Sequence, residues 1–120
     1  MSLDVYLHNA TMCEECCATL NSEHWVEVFT ANVTHNLAPM AEAANLYNYL
    51  WRPDEIGIEE AHQLAPLLAA GLKRLLNAPE HHENYTPENG WGSYVVLVDF
   101  IRAYLKACDE NPGAIITVSR

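Results

Sequence analysis

The sequence predicts an α+β fold, a small β-β-α-α-α-β domain in which a three-stranded antiparallel sheet packs against three helices. Three observations point there. Apolar and polar residues alternate near the N-terminus, and apolar residues recur at i, i+3, i+4, i+7 spacing through the second half. Polar turns carrying Pro or Gly separate these segments.

Leu3-Asp4-Val5-Tyr6-Leu7-His8 has period two and reads as a short strand. Trp25–Val33 is rich in β-branched and aromatic residues and reads as a second. Between them, Asn9 to His24 is longer than a usual hairpin loop and holds three cysteines. After Asn36, read as an N-cap, Leu37, Met40, Ala41, Ala44, Tyr47 and Trp51 form one apolar stripe. A single helix is therefore expected up to Pro53, which pushes its predecessor out of the α region. Asp54-Glu55-Ile56-Gly57 makes a turn. A second helix from about Glu59 is expected to bury Ala61, Leu64, Ala65, Leu68, Leu72, Leu75 and Leu76. Pro66 in its second turn implies a late start or a kink. Asn77 to Pro87 reads as a polar loop, with Thr86-Pro87 as a cap followed by proline at a first helical position. The third helix, from about Ser93 to Cys108, has the clearest stripe: Tyr94, Leu97, Val98, Ile101, Tyr104, Leu105 and Cys108. Asn111-Pro112-Gly113 ends it, and Ala114 to Val118 makes the final strand.

The 120 residues form one expected domain over 1–120, half hydrophobic and 18% charged, which is a globular composition. Net charge is -10, from 16 acidic and 6 basic side chains. The basic residues Arg52, Lys73, Arg74, Arg102, Lys106 and Arg120 form no run, which excludes nucleic-acid binding through a basic surface. The acidity suits solubility, a basic protein partner or a cationic ligand. No run approaches the roughly 20 apolar residues of a membrane span, and Met1-Ser2-Leu3-Asp4 lacks a basic leader region. The expectation is a soluble cytoplasmic protein with no membrane partner, whose exposed aromatics leave room for a homodimer. In a reducing compartment its four cysteines are thiols or metal ligands.

Cys13-Glu14-Glu15-Cys16-Cys17 carries the metal signal. A Cys-x-x-Cys turn brings two thiolates to one tetrahedral Zn²⁺, and Cys17 and His24 can extend the set, with His8 and His35 as other candidates. A structural zinc would close the long loop; free thiols in a loop are the competing reading. A redox role is weaker, because the pair does not sit at a helix start after a βαβ unit.

Three polar-aromatic turns carry the binding signal. Thr34-His35-Asn36 has a histidine, the best general acid or base candidate, beside a helix start. Trp51-Arg52-Pro53 sets a guanidinium next to an indole, suited to an anion or a planar ring. Asn89-Gly90-Trp91-Gly92-Ser93-Tyr94 holds an indole on a glycine hinge. Each turn alone also reads as a cap, a pinned corner or a lid over the core. Together they predict a converging ligand site of His35, Asn36, Trp51, Arg52, Asn89, Trp91 and Tyr94. Glu80-His81-His82-Glu83 reads as a solvated loop, and Cys108 as core. No Gly-x-Ser-x-Gly elbow, phosphate-binding glycine loop or His-Glu-x-x-His is present, and no catalytic residue is assigned.

Asn32-Val33-Thr34-His35-Asn36-Leu37, Met40-Ala41, Leu50-Trp51-Arg52-Pro53, Asn89-Gly90-Trp91-Gly92 and Val118-Ser119-Arg120 together resemble a family of small bacteriophage and bacterial proteins of unassigned activity. The resemblance spans nearly the whole chain. It implies an accessory role during infection, in the host-cell cytoplasm, including neutralising a host defence. The leading expectation is a non-enzymatic binding protein for a small planar or anionic ligand such as a nucleotide. One alternative is an acidic interaction module, imitating nucleic acid, that rests on the net charge and on acidic pairs such as Asp54-Glu55 and Glu59-Glu60. Another is a metal-dependent or histidine-assisted hydrolase.

Overall fold

Alternation along the first strand organises the fold. In β1 (Ser2–Ala10), Leu3, Val5 and Leu7 are fully buried, while Asp4, Tyr6 and His8 lie on the opposite face and stay partly exposed. The structure, a computed structural model, describes residues 2–10, 25–88, 90 and 92–120. β1 is central: β2 (Trp25–Thr34) and β3 (Ile115–Ser119) both pair with it antiparallel, in the order β2-β1-β3. Core-facing pairs are Leu3 with Val33, Val5 with Ala31 and Leu7 with Phe29 on one side, and Leu7 with Ile116 on the other. The register slips between Leu7 and His8, where β2 carries one extra residue in a bulge.

Because both outer strands oppose β1, they run parallel to each other. Ser2 faces Thr34 and Asp4 faces Ser119, so the C-terminal ends of β2 and β3 emerge at the same end of the sheet.

The helices cover the Leu3, Val5 and Leu7 face. On α5 (Tyr94–Glu110), Leu97, Ile101, Tyr104 and Cys108 are fully buried, and Tyr104 stacks on Phe29 of β2 with ring centroids 5.8 Å apart. α3 (Ala61–Asn77) packs beside α5. Its first turn is closed by Gln63, whose Oε1 accepts from the backbone N–H of Glu59 and of Glu60, both at 2.9 Å. The helix continues through Pro66 from its start at Ala61, so the late start expected there does not occur.

Several boundaries differ from expectation. The single helix up to Trp51 is two short ones, α1 (Ala38–Ala43) and α2 (Tyr47–Trp51), preceded by a 3-10 turn at His35–Leu37. Asn45 breaks the run with φ of 60°. The Leu46 N–H donates to the Ala41 carbonyl at 2.8 Å and the Asn45 N–H to that of Glu42 at 2.9 Å, the paired bonds of a Schellman ending. Arg74 on α3 adds an Nε bond of 2.8 Å to the free Ala44 carbonyl. The capping residue before the 3-10 turn is Thr34, not Asn36: Thr34 Oγ1 accepts from the Asn36 N–H at 3.3 Å.

Leu76 is 44% exposed, and the buried face of α3 runs through Ala61, Leu64, Leu68, Gly71 and Leu75. A β-carbon at Gly71 would overlap the Leu46 side chain, so the helix meets the α1–α2 connection through bare backbone. The expected polar loop contains α4 (Pro79–Glu83), with His82 only 3% exposed and its Nδ1 2.8 Å from the Ala78 carbonyl oxygen. Thr86 caps no helix: its hydroxyl donates to the Glu83 carbonyl at 2.7 Å. The N-cap of α5 is Ser93, whose Oγ accepts from the Val96 N–H at 3.3 Å.

Candidate functional site

Sheet register delivers two nitrogen-bearing side chains to one place. His35 directly follows the end of β2 and Arg120 the end of β3, and those ends lie together. The last turn of α2 arrives at the same point, where Arg120 Nη1 donates to the Trp51 carbonyl at 3.2 Å. His35, Ala38, Tyr47, Trp51, Arg52 and Arg120 line a cleft of about 320 Å³.

Aromatic packing forms its floor. Trp51 is 2% exposed, stacked on Tyr47 at 5.5 Å and 12° and met edge-on by His35 at 6.2 Å and 63°. The indole is thus enclosed by neighbours and offers no open stacking face. Tyr47 and His35, both partly exposed, present the rings that a ligand can touch. His35 Nε2 is a buried nitrogen with no hydrogen-bond partner among the described residues.

Charge gathers at the rim. Arg52 Nε donates to the Tyr47 hydroxyl at 3.3 Å and its Nη1 to Glu55 Oε2 at 2.5 Å. The Tyr47 hydroxyl first, and then the Glu55 carboxylate, push the guanidinium pKa still higher. Arg120 reaches both oxygens of Asp54, at 2.9 and 3.3 Å, and Glu55 Oε2 at 3.1 Å. Its hydrogen bonds hold the Asp54 carboxyl below the ordinary carboxylate value. Two of the chain's six Lys and Arg side chains meet here, each balanced by carboxylates from the 3-10 turn Pro53–Ile56.

The structure brings His35, Trp51 and Arg52 together. Asn36 is not among the lining residues: it is exposed, with its Nδ2 3.2 Å from Thr34 Oγ1. Tyr94 donates to the Leu75 carbonyl at 2.7 Å and lines a separate cleft of about 290 Å³ with Glu83, Thr86, Ser93 and Val95. Asn89 and Trp91 lie outside the described residues. Gly92, which is described, lies close to the first turn. Gly92 has φ of 105°, and a β-carbon there would stand 2.8 Å from Thr34 Cγ2 and 2.9 Å from Leu37 Cγ.

Cys13, Cys16, Cys17 and His24 also lie outside the described residues, so the zinc expectation falls there. Among the described residues, no three His, Cys, Asp or Glu side chains are grouped to hold a metal. His8 stacks with Tyr6 at 6.3 Å on the outer sheet face.

Sequence reasoning did not place Tyr47 or Arg120 in a site. Tyr47 was absorbed in the apolar stripe, and Arg120 counted among scattered cations. The signal for Arg120 was positional: two strands flanking one antiparallel neighbour must end together.

The chain matches no family model, no curated protein and no solved structure. Among the described residues, no helix is long and apolar enough to cross a membrane.

Proposed function

We propose that the protein is a non-enzymatic binding protein, an accessory protein of the phage or prophage type acting in the host-cell cytoplasm. Its cleft between the end of β2, α2 and the end of β3 takes a small planar or anionic ligand, with a nucleotide as the ligand class. One observation carries this reading: in a chain of net charge -10, Arg52, Arg120 and His35 converge beside the Tyr47 ring. Guanidinium groups suit a phosphate or carboxylate, and the tyrosine and imidazole rings suit the edge or face of a base. The volume lies near the lower end of ligand clefts, roughly 300–1,000 Å³, which favours one small ligand.

The acidic-module alternative finds less support. Asp54 and Glu55 are engaged by Arg120 and Arg52, and Glu60 pairs with His62. Three of the four carboxylates in those acidic pairs are therefore engaged in internal contacts.

Thermal unfolding with adenosine 5′-monophosphate tests the proposal. Saturating ligand should raise the melting midpoint, by about 2.7 kcal/mol of stabilisation at one hundred times Kd. Arg52→Gln should abolish the shift while leaving the ligand-free midpoint nearly unchanged, since its ion pair is exposed. No shift with mono- or dinucleotides in wild-type protein would overturn it.

A further inference from the structure

The two guanidinium groups of the cleft already grip an anion, and it belongs to the chain. Glu55 Oε2 accepts from Arg52 Nη1 and, at 3.1 Å, from Arg120 Nη2. One carboxylate oxygen shared by two arginines is an oxyanion clamp. Asp54 plays a different part. It engages Arg120 through both of its oxygens and so fixes the direction of that guanidinium.

Glu55 is built to leave. Its side chain is 49% exposed and sits on a single 3-10 turn, ended by Gly57 in the left-handed region with φ of 77°. Among the described residues its carboxylate is bonded by Arg52 and Arg120, and Arg52 beside it is 42% exposed. Arg120 is held by Asp54 and the Trp51 carbonyl even when Glu55 is elsewhere.

We propose that Glu55 is an internal occupant of the anion subsite, displaced when ligand binds; this rests on the binding function argued above. The displaced charge also names the ligand's anionic group. A ligand carboxylate would exchange one negative charge for another at the same arginines. A phosphate monoester brings about -1.5 to -2 charge and three acceptor oxygens, enough to reach both guanidiniums and outcompete Glu55. The preferred ligand is therefore a phosphate monoester on a planar group, and Glu55 sets the threshold that weaker anions fail to cross.

Calorimetric titration of wild type and Glu55→Gln, at one ionic strength, separates the outcomes. The probes are adenosine 5′-monophosphate, adenosine and inorganic phosphate. Glutamine keeps the size of an exposed side chain, and circular dichroism checks that the fold is retained. Glu55→Gln should bind the monophosphate about threefold to tenfold tighter than wild type, the scale of one or two exposed ion pairs. Inorganic phosphate should move in the same direction, and adenosine should not change. Equal or weaker monophosphate binding by Glu55→Gln overturns the displacement while leaving a nucleotide-binding wild type intact. An equal gain for adenosine overturns the phosphate assignment. Failure of both proteins to bind any probe overturns this inference and the proposed function together.

Discussion

Tyr104 buries its hydroxyl with no hydrogen-bond partner among the described residues. Burial, and then nearby Cys108, push the phenol pKa well above its ordinary value. Its ring is well used, stacked on Phe29 and edge-on to Phe100 at 5.9 Å. An unpaired buried hydroxyl costs about 1–3 kcal/mol, whereas removing it leaves the ring contacts intact. Tyr104→Phe should therefore match or exceed wild-type stability in urea unfolding. A loss beyond about 1 kcal/mol would mean that the hydroxyl has a partner. The same apolar surroundings, reinforced by Asp109, push the Cys108 thiol up to about 12, which keeps it protonated at neutral pH. Gly92 makes a different point. Positive φ and the closeness of Thr34 and Leu37 both exclude a side chain, so this glycine lets the backbone at 92 pass close to the end of β2.

Among the elements, the junction of α1 and α2 shows where sequence patterns lose their power. Leu37, Met40, Ala41, Ala44 and Trp51 are buried as the apolar stripe required, yet the backbone between them reverses at Asn45. Burial on both sides of the break fits one helical period, so hydrophobic spacing cannot reveal it. The clue was local chemistry: asparagine tolerates the left-handed region better than most residues. Asn45→Ala should destabilise by about 1 kcal/mol, and Asn45→Gly should recover most of that loss in the same urea titration. Equal stability of the two variants would remove the left-handed strain from the account. β1 was legible from its period of two, β2 from its β-branched and aromatic residues, and α5 from its long apolar stripe. α4 was not, because Pro79 to Glu83 is polar and its one buried side chain, His82, is held through Ala78. For the site, turn composition pointed to His35 and Arg52. It could not reveal Arg120, which arrives through strand register across 69 residues from Trp51.

For the molecule as a whole, Asp54 and Arg120 tie the middle of the chain to the end of β3. Asp54 has a lowered folded pKa, so its contribution is present above the unfolded carboxyl value. It is lost as pH falls through the lowered one. Wild type should therefore be more stable than Asp54→Asn at pH 7, and the gap should narrow as pH falls below the ordinary carboxyl value. A gap that does not narrow in acid would mean that Asp54 acts through something other than charge. The parallel course of β2 and β3 has a kinetic side as well. The cleft's walls are joined only by closing a long loop, whose entropy must be met before their contacts form. A chain with its helices packed and β3 still undocked has no Arg120 in place and no complete cleft. On the proposed function, occupancy and the order of β3 would rise and fall together, and ligand binding would act as a latch on β3.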